Sequence, residues 1–142
     1  MSVPKGERRE SELKVLDLAL NLAKHTATKA KNEKIFPKAQ RWIVANRLVE
    51  SAFSAYENIR AANEVFVKDN PVYADAYRIR QGYQIKALAS LTKLMGDLDI
   101  AYRLYSLSGK ELDYWSGLCA DTRKALKSWI ESDRRRFLHL LG

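Results

Sequence analysis

The feature that most constrains this chain is a seven-residue repeat between Trp42 and Phe66. Trp42, Val49, Tyr56 and Asn63 fall on one line, and Ala45, Ala52, Ile59 and Phe66 follow each of them by three residues. Such spacing is the a/d seam of a helix packed against other helices. Pro37, in the segment Phe36-Pro37-Lys38-Ala39-Gln40-Arg41-Trp42, suits a first helical turn, where its missing N–H has no intrahelical partner to lose. The expected element is one continuous helix over residues 37–67, about 45 Å long at 1.5 Å per residue.

Three further helices read as partners for it. Residues 1–10 mix charges and include Pro4 and Gly6, which suits a flexible tail. From about 11 to 31, Leu13, Leu16, Leu20, Ala23, Ala27 and Ala30 step by three and four, and Val15, Leu18 and Leu22 widen the stripe. The short polar connection Lys31-Asn32-Glu33-Lys34 turns the second helix antiparallel to the first. Lys68-Asp69-Asn70-Pro71 then breaks the chain, with Asp69 or Asn70 placed to cap and Pro71 at a first helical position. A third helix over about 71–107 carries Tyr77, Gln81, Gln84, Leu88, Leu91, Met95, Leu98, Tyr102 and Tyr105. Ser108 and Glu111 have the spacing of a capping box. The fourth helix, about 110–138, has the stripe Leu112, Trp115, Cys119, Thr122, Leu126 and Trp129, which turns polar at Asp133. Four long helices with short connections predict an all-α, up-down-up-down antiparallel four-helix bundle over residues 11–142.

Composition agrees with one domain. The chain has 142 residues, 46% apolar and 30% charged, with six glycines and three prolines to interrupt helices. Cys119 is the single cysteine, so no intrachain disulfide forms. No apolar leader and no run long enough to span a bilayer is present, which leads to the expectation of a cytoplasmic protein without membrane contact. No catalytic constellation is visible: His25 and His139 lie far apart in sequence, and neither a Glu-x-x-His pair nor a glycine-rich phosphate loop occurs. The chain is therefore read as a non-enzyme with no metal or cofactor.

The core expected from the stripes comprises Trp42, Val49, Tyr56, Asn63, Trp115 and Trp129, with Tyr77 and Tyr102. Asn63, Gln81 and Gln84 would place amides on the seam, where such groups fix register by bonding one another or a carbonyl. Tyr73, Tyr83 and Tyr114 fall off the stripes and suit a surface or a subunit interface. The off-seam Leu48, Phe53, Ile85, Leu94 and Leu118 suggest apolar surface left for association with further copies.

Charge is the sharpest functional signal. The net charge is +8, and residues 24–47 hold seven basic residues against one acidic, residues 121–142 six against three. Lys24, Lys29, Lys31, Lys34, Lys38 and Arg41 surround the first connection, and Arg134, Arg135 and Arg136 close the fourth helix. In the expected topology these two clusters are opposite poles of the rod. A polyanion or an acidic partner surface fits such a field, and a solvated face that serves only solubility fits it as well.

Several of these residues also carry a family likeness. Phe36-Pro37-Lys38 followed by Arg41, the Ala62-Asn63 step, Tyr114-Trp115, Asp121, and Ser128-Trp129-Ile130-Glu131-Ser132-Asp133-Arg134-Arg135 resemble the accessory variability determinant (Avd) proteins of diversity-generating retroelements, over about residues 11–137. Those proteins share a four-helix bundle with the ribosomal-RNA intervening-sequence proteins, which show a similar pattern and act as structural or protein-interaction modules in the alternative reading. The resemblance implies a basic homopentamer without a catalytic centre. Such an assembly binds a reverse transcriptase and contacts template RNA, its cDNA or an RNA/DNA hybrid during error-prone copying. By the same resemblance Lys38, Arg41, Arg134 and Arg135 are the leading contacts for RNA or polymerase. The tail that follows the matching segment, Arg136–Gly142, does not align with the family pattern.

Overall fold

A computed structural model describes the backbone of residues 5–142 and the side chains of residues 14–142. Its helices are α1 (Lys5–Ala30), α2 (Ala45–Glu64), α3 (Ala74–Leu104) and α4 (Gly109–Phe137), with 3-10 turns at Lys38–Gln40, Pro71–Tyr73 and Leu138–Leu141. α1 packs on α2 and α4, and α3 packs on α2 and α4. The chain is thus the expected all-α four-helix bundle. Residues 1–4 of the expected tail lie outside the described residues, and α1 begins at Lys5 rather than near residue 11.

The second helix differs most from the sequence pattern. Pro37 precedes a 3-10 turn, residues 41–44 form turns, and α2 itself starts only at Ala45. Trp42, expected on the seam, is 72% exposed, and Phe66 lies beyond the helix and is exposed as well. The buried line of α2 is Ala45, Leu48, Ala52, Ala55, Ile59 and Ala62. The period is the expected one, and the Ala45, Ala52, Ile59 half of the seam holds. The other half is displaced by one residue, so Val49, Tyr56 and Asn63 flank the core half-buried instead of filling it.

α3 repeats the displacement. Tyr77, Gln84, Leu91 and Leu98 are buried as expected, but their companions are Arg80, Ala87, Leu94 and Ala101 rather than Gln81, Leu88, Met95 and Tyr102. Alanines at 52, 55, 62, 87 and 101 explain the choice. Spacing between helix axes is set by the side chains at the contact, and α2 and α3 form the most extensive interface of the bundle. Small residues at the seam admit close approach, and the larger Tyr56, Leu88 and Met95 cover its edges. Leu48 and Leu94, expected as surplus apolar surface, are fully buried for the same reason, whereas Phe53 and Ile85 are exposed.

α4 keeps the expected stripe, with Trp115, Cys119, Thr122, Leu126, Trp129, Asp133 and Phe137 all buried. Thr26 of α1 links the two helices: its Oγ1 donates to the Leu22 carbonyl at 2.8 Å and accepts from Trp115 Nε1 at 3.0 Å. Burial pushes the Cys119 thiol up to about 12. Capping follows the sequence. Asn70 accepts from the Val72 N–H ahead of Pro71, and Ser108 and Glu111 form a reciprocal capping box. The apolar tail finds its place too, since Leu140 and Leu141 join Phe137, Tyr77 and Val67 in a second small core beside the α2–α3 connection.

Candidate nucleic-acid interface

The connection between α1 and α2 is an anchored loop with a cationic outer surface. Ile35, Phe36 and Val44 are buried beneath it, and the Phe36 ring meets Tyr105 edge-on at 5.2 Å. The Asn32 carbonyl accepts from the N–H groups of Ile35 and Phe36, and its side chain accepts from Lys34 N–H at 2.9 Å. Arg41 closes the loop. Its Nη2 donates to the Lys31 carbonyl at 2.8 Å, its Nε donates to the Phe36 carbonyl at 3.4 Å, and Glu33 lies 3.7 Å away. Arg41 therefore holds the backbone, which differs from the sequence expectation of a ligand contact.

Lys29 is likewise engaged, 3.2 Å from Glu111 at the start of α4. Glu111 is held below the usual carboxylate range, chiefly by the Ser108 backbone N–H, and Lys29 acts in the same direction. His25 sits one turn before Lys29, edge-on to Tyr114 at 5.0 Å and to Trp115 at 5.6 Å. Burial first, and the Lys29 charge second, push its imidazole below the usual range, against a smaller opposing pull from Glu111. The remaining cations of this pole, Lys24, Lys31, Lys34 and Lys38, are exposed, and among the described residues none makes an ion pair.

The opposite pole is built differently. Asp133 is fully buried and accepts from Arg80 Nε and Nη2, each at 2.8 Å, from Gln84 Nε2 at 2.9 Å and from Arg136 Nη2 at 2.9 Å. The Arg80 guanidinium also lies over the Trp129 ring at 5.0 Å. A bidentate pair whose carboxylate takes two further donors is the arrangement that tolerates burial of charge. Arg136 thus belongs to the interior network rather than to an open patch. Arg135 stands 3.7 Å from Glu131, and Arg134 is exposed. Burial first and the Asp133 charge second push the Tyr77 hydroxyl up.

Sequence reasoning missed three things. One is the Arg80–Asp133 pair, although an acid at a core position of α4 already called for a cation on a neighbouring helix. Another is a shallow groove of about 510 Å³ whose lining includes Arg123, Lys124, Lys127 and Arg135 of α4, with Glu131 between them and Met95 of α3 at one side. The i, i+4 spacing of Arg123, Lys127 and Glu131, and of Lys124 and Ser128, was the available signal. The third is Trp42. The structure brings together Lys31, Lys34, Lys38 and Trp42 on one loop and leaves Arg134 and Arg135 at the far end.

Among the described residues no group of three or more His, Cys, Asp or Glu side chains is placed to hold a metal ion, and no helix is long and apolar enough to cross a membrane. Comparison with family models, with curated proteins and with solved structures returned no match.

Proposed function

We propose that this chain is a non-enzymatic accessory protein of a diversity-generating retroelement. It binds the element's reverse transcriptase and its template RNA or cDNA in the cytoplasm and works as a homopentamer. The observation that carries the nucleic-acid part of this reading is the exposed set Lys24, Lys31, Lys34 and Lys38, whose ammonium groups make no ion pair among the described residues. Unpaired cations on the last turns of α1 and on the anchored loop that follows it neutralise phosphates without giving up internal contacts, and the release of counterions drives such binding. The groove cations Arg123, Lys124 and Lys127 extend the same field along α4. The polymerase, the pentamer and the biological setting rest on the family resemblance of the Phe36-Pro37-Lys38 and Ser128–Arg135 segments.

A second reading, a structural module of the ribosomal-RNA intervening-sequence kind, is favoured by the exposed Phe53, Ile79 and Ile85, which suit protein contact. Binding of a labelled structured RNA, followed across salt concentrations, separates the two. The accessory reading predicts a log–log slope of about −0.7 to −0.9 per phosphate neutralised and co-elution with the cognate reverse transcriptase. An absence of RNA binding at low salt, together with separate elution of the polymerase, contradicts it. Light scattering at a mass near the 16.3 kDa of one chain across micromolar concentrations would contradict the pentamer.

A further inference from the structure

Trp42 occupies a position that the heptad pattern assigns to the core, and the structure leaves it 72% exposed while Trp115 and Trp129 are buried. The backbone under it is fixed. Ile43 N–H donates to the Gln40 carbonyl at 3.1 Å, Asn46 N–H donates to the Arg41 carbonyl at 3.1 Å, Arg41 is tied to two loop carbonyls, and Val44 and Ala45 are buried just beyond. Among the described residues no ring or cation contact engages the indole. The segment that carries it is cationic: between Glu33, which pairs with Arg41, and Glu50 the chain has no acidic residue and contains Lys34, Lys38, Arg41 and Arg47.

An exposed indole on a connection that also carries exposed lysines matches the chemistry of an unpaired nucleobase and its phosphates, since stacking on aromatic side chains and backbone neutralisation together hold single strands. Two other occupants fit less well. A homotypic contact through this loop would set Lys34 and Lys38 against their own copies, where like charges repel. A protein partner would need an apolar patch, and the loop offers only Trp42 and the half-exposed Ile43. We infer that Trp42 is a stacking platform for an unpaired base, with Lys34 and Lys38 on the adjoining phosphates, so that the loop prefers single-stranded over fully paired nucleic acid. The inference rests on the nucleic-acid part of the proposed function.

Because the other two tryptophans are buried, intrinsic fluorescence reads Trp42 directly. The free protein should show a red-shifted emission component that acrylamide quenches. A single-stranded RNA 12-mer should quench and shield that component, whereas a blunt duplex of equal length should bind without quenching. Trp42→Ala should weaken single-strand binding roughly 5- to 150-fold, the range of one base–aromatic stack, and Trp42→Phe should retain most of the affinity. Single-strand binding equal in wild type and Trp42→Ala, with unmoved emission, overturns the stacking role. If Lys31→Gln/Lys34→Gln/Lys38→Gln still weakens binding in that case, the proposed function survives alone. An absence of RNA binding by the wild type removes both. An emission already blue-shifted in the free protein, turning red on dilution, overturns the inference in favour of a second copy over the ring. A shift seen only on adding the polymerase overturns it in favour of a protein pocket.

Discussion

At the end of the bundle where α4 stops, Arg80 and Arg136 converge on a buried Asp133 that Gln84 also serves. At the other end Lys24, Lys31, Lys34 and Lys38 stand in solvent without ion pairs among the described residues, over a loop that Arg41 secures. Both ends are rich in cations, so charge counting treats them alike. Their chemistry differs because arginine's planar fork satisfies a carboxylate and several carbonyls at once, while lysine's single ammonium on a flexible stem remains available. Arg80, Arg136 and Arg41 thus complete the fold, whereas Lys24, Lys31, Lys34 and Lys38 stay free to meet a ligand.

The largest expected effect breaks the interior pole. Asp133→Asn removes from the interior the carboxylate charge that Arg80 and Arg136 share, which should destabilise by about 3–5 kcal/mol and lower the melting temperature by on the order of 10 °C. Replacing the pair together, Arg80→Met with Asp133→Leu, should recover much of that loss in chemical denaturation. A single variant as stable as wild type would erase the contrast between the poles. The next effect sharpens the division inside the loop pole: Arg41→Gln should cost about 1–2 kcal/mol through its two carbonyl bonds, whereas Lys34→Gln should stay within about 0.5 kcal/mol of wild type. Equal losses at the two positions would show that Lys34 is structural as well. Ser108→Ala, which removes the α4 cap at the same pole, should cost about 1 kcal/mol in the same assay.

The smallest effect depends on pH. The imidazole of His25 is depressed from its ordinary value of 6.5, so the unfolded chain takes up a proton before the folded one. Its contribution to stability is complete above about pH 6.5, declines as the pH falls below that value and is lost as the pH passes through the folded-state value. Glu111 is also depressed, from 4.5; its contribution is complete above about pH 4.5 and is lost only as the pH falls through its lower folded value. Thermal melts of His25→Gln should therefore lose the pH dependence just below pH 6.5 and keep the more acidic one. A wild-type-like profile across both ranges would remove His25 from the account.

How far the sequence reached is best seen on α2 and α3. The seven-residue period identifies both helices and the bundle, because burial of one face imposes it whichever residues lie in the seam. The phase is less legible. Choosing the bulkier line placed Tyr56, Asn63, Leu88 and Tyr102 in the core, whereas the fold places Ala55, Ala62, Ala87 and Ala101 there to bring two backbones together. Trp115 and Trp129 were legible because the α4 stripe holds only one line of large apolar residues. Trp42 was not, since the helix that would have turned it inward starts three residues later, at Ala45. On the site, the cationic character of the first connection could be read from composition. Which cations are engaged could not, because Lys29 meets Glu111 across 82 positions of sequence and Arg80 meets Asp133 across 53.

The salt dependence of RNA binding by wild type and by Lys24→Gln/Lys31→Gln/Lys34→Gln/Lys38→Gln, measured beside their melting temperatures, tests the central claim most directly. If these four lysines grip phosphates and hold nothing else, the slope of log affinity against log salt should fall in magnitude by about three while the melting temperature stays put. An unchanged slope, or a slope that changes only together with a collapse in stability, would contradict it.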